Sequence, residues 1–126
     1  MKKKFKALLV GCGKIGFGNK YNFRNSHAYN LNKNKYISLV CGVDKNKNKL
    51  KEFSKIFKCT TSTNFLFANL DHKPNIISIC TPDKTHFNIV HKILKSKHKP
   101  DIIFLEKPCF QNSKEFNTIL RKIKNT

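Results

Sequence analysis

The chain begins MKKKFKALLVGCGKIGFG, residues 1–18, and its fold turns on how that stretch is read. Lys2, Lys3 and Lys4, ahead of an apolar run that ends in Leu9, Val10, Gly11 and Cys12, have the outline of a lipoprotein signal with Cys12 as the lipid anchor. Gly11, Gly13 and Gly16 instead spell Gly-x-Gly-x-x-Gly, a turn that receives a pyrophosphate between a strand and a helix. A cleavable signal needs an apolar stretch of about 7 to 15 residues. Residues 5–10 are short of that and are interrupted by Lys6. No other window approaches the roughly 18 apolar residues of a membrane span.

Working outward, the rest of the chain supplies the sheet that the glycine turn needs. Residues 5–10 read as a strand entering the turn, and a helix is expected to start near Lys14. The Asn-rich stretch 17–26 reads as a loop, after which residues 27–31 resume a short helix. Residues 36–43 (YISLVCGV) form a β-branched, nearly all-apolar run, as a strand covered on both faces should be. Residues 45–58 place Leu50, Phe53, Ile56 and Phe57 at helical spacing under a lysine-rich outer face. A short strand at 59–61 and a weak helix at 65–70 follow.

Residues 75–80 (NIISIC) read as a fourth strand between Pro74 and Pro82. Residues 83–97 carry Phe87, Val90 and Leu94 in one stripe flanked by Ile89 and Ile93, with Asp83 placed to cap the first turn. A fifth strand is expected at 101–105 (DIIFL). The last helix, at 113–124, turns Phe116, Ile119, Leu120 and Ile123 inward, and Asn112 and Glu115 form a capping pair. Strands alternating with helices imply a doubly wound α/β domain: a parallel sheet of about five to six strands in three layers, a Rossmann fold. With residues 5–10 as its central strand, that stretch cannot be a discarded leader.

At 126 residues the chain has room for one domain and one core, so residues 1–126 are expected to form a single dinucleotide-binding unit. A net charge of +19 raises the question of a nucleic-acid partner. Nearly all of that charge is lysine, however, with Arg24 and Arg121 the sole arginines, and it comes with abundant Asn, Ile and Phe. These four residue types share A- and T-rich codons, so base composition accounts for the charge. Base readout by arginine forks is poorly supplied, and no specific nucleic acid is expected. The five cysteines, Cys12, Cys41, Cys59, Cys80 and Cys109, are odd in number and contain no Cys-x-x-Cys pair. Reduced thiols in a cytoplasmic protein are the expectation, with no membrane partner. His86, His91 and His98 lack the spacing of a metal site, so no metal is expected.

The turn as a whole, Gly11, Cys12, Gly13, Lys14, Ile15 and Gly16, is the candidate pyrophosphate site, with a helix N-terminus expected to face the negative charge. Asp44, at the end of the second strand, is placed to accept hydrogen bonds from the adenosine ribose and favours NAD, because a carboxylate there repels a 2′-phosphate. Lys45, Lys47 and Lys49 nearby leave NADP open.

Taken in order, GCGKIG, then Val43-Asp44, then TPDKTHFNIV from Thr81 to Val90, then LEKP from Leu105 to Pro108 resemble the N-terminal half of the glucose-fructose oxidoreductase, inositol dehydrogenase and rhizopine-catabolism family (Gfo/Idh/MocA). The resemblance covers essentially the whole chain. It implies that Thr81 and Pro82 lie beside the cofactor and that His86, on the first turn of the next helix, either contacts cofactor or substrate or makes a local hydrogen bond. It also implies that Glu106 and Lys107 adjoin the cofactor, with Lys107 reaching the nicotinamide ribose and the reacting carbinol. The bond before Pro108 is commonly cis in the family. Lys107 is thus the candidate catalytic residue. A lysine partly desolvated beside a cationic nicotinamide would have its pKa lowered toward the range useful for proton transfer.

The family resemblance further implies a second α/β domain that supplies the substrate pocket, so the chain is expected to be split from that domain or truncated before it. Three functions stay open at this point. One is the NAD(P)-binding half of an oxidoreductase acting on a sugar, nucleotide-sugar or cyclitol hydroxyl, with a partner chain carrying the substrate domain. The others are a stand-alone NAD-binding module and a nucleic-acid binder using the lysine surface. Self-association through an uncovered apolar patch is also expected.

Overall fold

The computed structural model describes residues 5–126. Lys2, Lys3 and Lys4, on which the signal reading drew, lie outside them. Five parallel strands, β1 (Phe5–Val10), β2 (Ile37–Val43), β3 (Thr60–Ser62), β4 (Ile76–Ile79) and β5 (Ile102–Leu105), form one sheet in the order β3-β2-β1-β4-β5. Residues 5–10 thus sit at its centre, paired with β2 on one side and β4 on the other.

The period-2 alternation of β1 explains the three layers. Ala7 and Leu9 face a core with Ala28 and Leu31 of α1 (His27–Lys33) and Leu50 and Phe53 of α2 (Lys47–Ile56). Leu8 and Val10 face the opposite core, with Ala68 of α3 (Phe65–His72), Ile89, Val90 and Ile93 of α4 (His86–Lys95) and Ile119 of α5 (Ser113–Lys124). Burial of both faces is why the central strands read as continuous apolar runs.

The helices start where short polar side chains satisfy their first N–H groups. Asn46, Asn64 and Asn112 accept from the backbone at the starts of α2, α3 and α5. Glu115 reaches back from α5 to the Gln111 N–H at 3.0 Å, one residue before the cap. Asp83 departs from its expected capping role: residues Asp83–Thr85 form a 3-10 turn, and the Asp83 carboxylate accepts from Gln111 Nε2 at 2.7 Å.

The helix expected to begin near Lys14 is a single turn, closed by Phe17 N–H and Gly18 N–H on Gly13 O. The regular helix α1 starts only at His27, capped by Ser26. The intervening loop is held by aromatic packing. Phe17 is fully buried and meets Phe53 and Phe57 edge-on at 5.5 and 5.9 Å, and Phe23 packs on Phe57 and Tyr29. Among the described residues no helix is long and apolar enough to cross a membrane.

Candidate functional site

Connections leave β1 and β4 toward opposite faces of the sheet, which opens a crevice at the carboxyl ends of these neighbouring strands. The glycine turn, Asp44, Thr81 and Lys107 follow β1, β2, β4 and β5 respectively, so all of them gather along that edge. The groove between α4 and α5, lined by Leu94, Lys99, Arg121 and Lys122 among others, contains none of them.

The glycine turn is set by close approach of main chain. Gly11 has φ of +97°, and a Cβ there would stand 2.8 Å from the Cys80 carbonyl carbon and 2.9 Å from Thr81 N. A Cβ on Gly16 would collide with Gly11 O. Gly13 differs: nothing lies within 4 Å of where its Cβ would be. Its open face is the approach that a pyrophosphate needs, so the turn fits a dinucleotide. Lys14 and Ile15 are exposed beside it. No regular helix begins here: the chain closes a single turn on Gly13 O, and α1 starts only at His27.

Cys12 contributes backbone only. Its side chain is buried with Sγ 3.7 Å from Val43 O, and burial, reinforced by Asp44 and neighbouring thiols, pushes its pKa far up. Its N–H donates to Asp44 Oδ2 at 2.8 Å, and Asp44 Oδ1 accepts from Asn46 N–H at 2.8 Å. The half-buried Asp44 carboxylate is therefore oriented by the glycine turn itself and keeps lone pairs for hydroxyl donors. Of the three lysines after it, Lys49 is turned away to Gly18 O at 2.9 Å and over the Phe17 ring.

On the other side, Thr81 is half-buried and accepts from Thr85 Oγ1 at 2.6 Å, while Pro82 is exposed. His86, the first residue of α4, is 1% exposed. Its Nδ1 lies 2.9 Å from Cys109 O and its Nε2 2.9 Å from Thr81 O. Of the two roles open to it, the geometry gives the local one: both ring nitrogens are occupied by main chain. His86 ties the Thr81 loop to the segment after Lys107 and does not line the crevice. The Lys107–Pro108 bond is cis, and Lys107 itself is exposed, so the desolvation expected for it does not come from these residues.

Glu106 is half-buried and its Oε2 lies 2.8 Å from His27 Nε2. His27 Nδ1 lies 3.0 Å from Ser78 Oγ. Neither His27 nor Ser78 stood out in the sequence. One signal was present, a serine inside the apolar run NIISIC, and Ser78 is indeed buried in β4.

The chain matches a family model described as "Oxidoreductase family, NAD-binding Rossmann fold" (GFO_IDH_MocA) over residues 5–126. Among solved structures it is similar to the WlbA dehydrogenase of Chromobacterium violaceum, crystallised with NADH and UDP-GlcNAcA (TM-score 0.81, 18% identity, 98% of this chain, 33% of that one). It is also similar to GenD2 of gentamicin A biosynthesis, crystallised with NAD (TM-score 0.80, 18% identity, 99% and 33%). A third is myo-inositol 2-dehydrogenase of Lactobacillus plantarum (TM-score 0.73, 19% identity, 98% and 34%). The chain spans about a third of the length of these structures. No curated protein matches it by sequence. With a crevice that fits a dinucleotide and a family match over every described residue, the chain belongs to the Gfo/Idh/MocA oxidoreductase family, as its NAD(P)-binding Rossmann domain.

Proposed function

We propose that this domain holds NAD for hydride transfer to or from a hydroxyl-bearing carbon of a sugar, nucleotide sugar or cyclitol, and that residues 1–126 act as one cofactor-binding unit. One observation carries this: the glycine turn, Asp44, Thr81 and the Glu106-Lys107 turn all follow the carboxyl ends of neighbouring parallel strands. When bound, the nicotinamide supplies the hydride acceptor or donor.

The chain's own residues bind and orient it. The open face of Gly13 takes the pyrophosphate, with Lys14 and Ile15 beside it, and Asp44 accepts from the adenosine ribose. A 2′-phosphate would sit against the Asp44 carboxylate, which favours NAD over NADP. Lys49 is already engaged by Gly18 O, which leaves Lys45 and Lys47 as the nearby cations. Thr81 and Pro82 border the nicotinamide end. Lys107 holds or moves the hydroxyl proton at Nζ. Because Lys107 is exposed, a substrate-binding domain, in the same polypeptide or in a partner chain, must cover it and exclude water. His86 enters as a positioning residue.

Calorimetric titration with NADH and NADPH at two salt concentrations tests the proposal. Saturable binding that prefers NADH and survives added salt is expected, with no turnover from this domain alone. A folded sample that binds neither nucleotide would overturn it. Binding that collapses with salt and is competed by DNA would favour the lysine surface instead.

A further inference from the structure

Behind the Glu106-Lys107 turn, four side chains form one directed hydrogen-bonded line. A carboxylate can only accept, so at 2.8 Å His27 Nε2–H donates to Glu106 Oε2. In a neutral ring Nδ1 must then accept, and its partner at 3.0 Å is the Ser78 hydroxyl. Ser78 Oγ in turn lies 3.7 Å from Cys80 Sγ. Burial pushes the Cys80 thiol up to about 11, so it keeps its proton and can donate. Every donor in the line therefore points toward Glu106.

Serine, histidine and a carboxylate in this order also make up hydrolase triads. Here Ser78 is 1% exposed, inside a strand flanked by β1 and β5. No substrate can reach it as a nucleophile, and the line serves its carboxylate end.

His27 has a second set of contacts. Its backbone N–H donates to Ile15 O at 3.1 Å, and the next N–H, of Ala28, donates to Gly16 O at 2.9 Å. The start of α1 is thus fastened to the glycine turn by main chain and to Glu106 by the imidazole.

We propose that His27, fixed in one tautomer by the Glu106 carboxylate and seated on the Ser78 hydroxyl, is a positioning residue that locks the Glu106-Lys107 turn to the glycine turn. The cofactor is then gripped by one rigid unit rather than by two independent loops. The consequence for cofactor rests on the NAD-binding function proposed above; the tautomer and the linkage do not.

Two measurements on the full chain test this. Long-range nitrogen–proton NMR should show neutral His27 protonated at Nε2 and bare at Nδ1, and Glu106→Ala should mix the two tautomers, because the Ser78 hydroxyl suits either one. A predominant Nδ1–H form in the unaltered chain, or a tautomer indifferent to Glu106→Ala, overturns the proposal. In a double-mutant cycle on NADH affinity, His27→Phe and Glu106→Ala should each weaken binding about 10-fold, the loss of one hydrogen bond to a charged group. The double variant should be no weaker than the worse single one. Effects that multiply would mean that His27 merely anchors α1, and would overturn the positioning role. If His27→Phe does not fold, the NMR result on the unaltered chain and Glu106→Ala decides. If the unaltered chain binds no NADH, the cofactor function fails, while the NMR result still judges the tautomer and the line.

Discussion

On the β1–β2 side of the crevice the shape is made by absent side chains. Gly11 and Gly16 let main chain cross main chain, and Gly13 leaves a face open. On the β4–β5 side it is made by polar side chains that bridge segments: buried His86 lies between Thr81 O and Cys109 O, and half-buried His27 lies between Ser78 and Glu106. Steric fit fails abruptly, whereas a hydrogen-bonded network fails by one unmet group at a time. The two sides should therefore break differently.

The largest effect is expected on the glycine side, from Gly11→Ala. The new Cβ would press on Cys80 and Thr81 main chain at a φ of +97°. Left-handed backbone and overpacking together cost about 2–5 kcal/mol of stability. Gly13→Ala should leave the unfolding free energy within about 0.5 kcal/mol of the unaltered chain while weakening NADH binding severely. If Gly13→Ala bound NADH normally, its open face would not be where the pyrophosphate sits.

Next comes His86→Phe. The phenyl ring keeps roughly the imidazole's place but offers no N–H, so a main-chain carbonyl loses its donor, at about 1–3 kcal/mol. Hydrogen exchange should then rise around Cys109 and Phe110 rather than in the glycine turn. Exchange that rose equally on both sides would mean that His86 supports the whole sheet and is not a tie between two loops.

A smaller, purely kinetic contrast comes from the thiols. Burial pushes Cys59 to about 12 and Cys80 to about 11, and it raises Cys12 and Cys41 as well. Cys109, two residues past Lys107, is exposed. Mild alkylation should mark Cys109 first, and NADH should slow it if the cofactor covers that turn; mass spectrometry of timed samples reads both. Labelling of Cys80 ahead of Cys109 would mean that the β4 end opens in solution.

The glycine side was legible because its determinants are consecutive: a strand, three spaced glycines and a later acidic residue at a strand end all fall within local windows. The helix expected near Lys14 stops after a single turn. Phe17 is drawn into the α2 core by Phe53 and Phe57, and tertiary packing overrides helix propagation. Asp83 was misassigned for a similar reason, since its partner, Gln111, lies on another segment. His27, Ser78 and Glu106 were illegible as a set because β1, β4 and β5 must be assembled before residues so far apart in sequence can meet. Only the polar Ser78 in an apolar strand hinted at them. Sequence showed His86 at a helix start but left its role open, because which way a first-turn imidazole points is decided by what packs on it.

The smallest expected effect again contrasts two histidines, now on a single helix. His86 begins α4 with both nitrogens partnered, whereas His91, one turn on, has Nδ1 buried with no partner among the described residues and stacks on Phe87 at 5.4 Å. Burial first, then the cations of Lys122 and Lys95, lowers the His91 pKa below its ordinary 6.5. In the window just below 6.5 the unfolded chain therefore binds more protons at this site than the folded one, so stability falls as pH drops through it. Above that window the contribution is flat. Chemical denaturation between pH 7.5 and 5 should show the slope, and His91→Phe, which keeps the stacking and removes the titration, should flatten it. An unchanged slope in that variant would mean that His91 is not the source of the acid sensitivity.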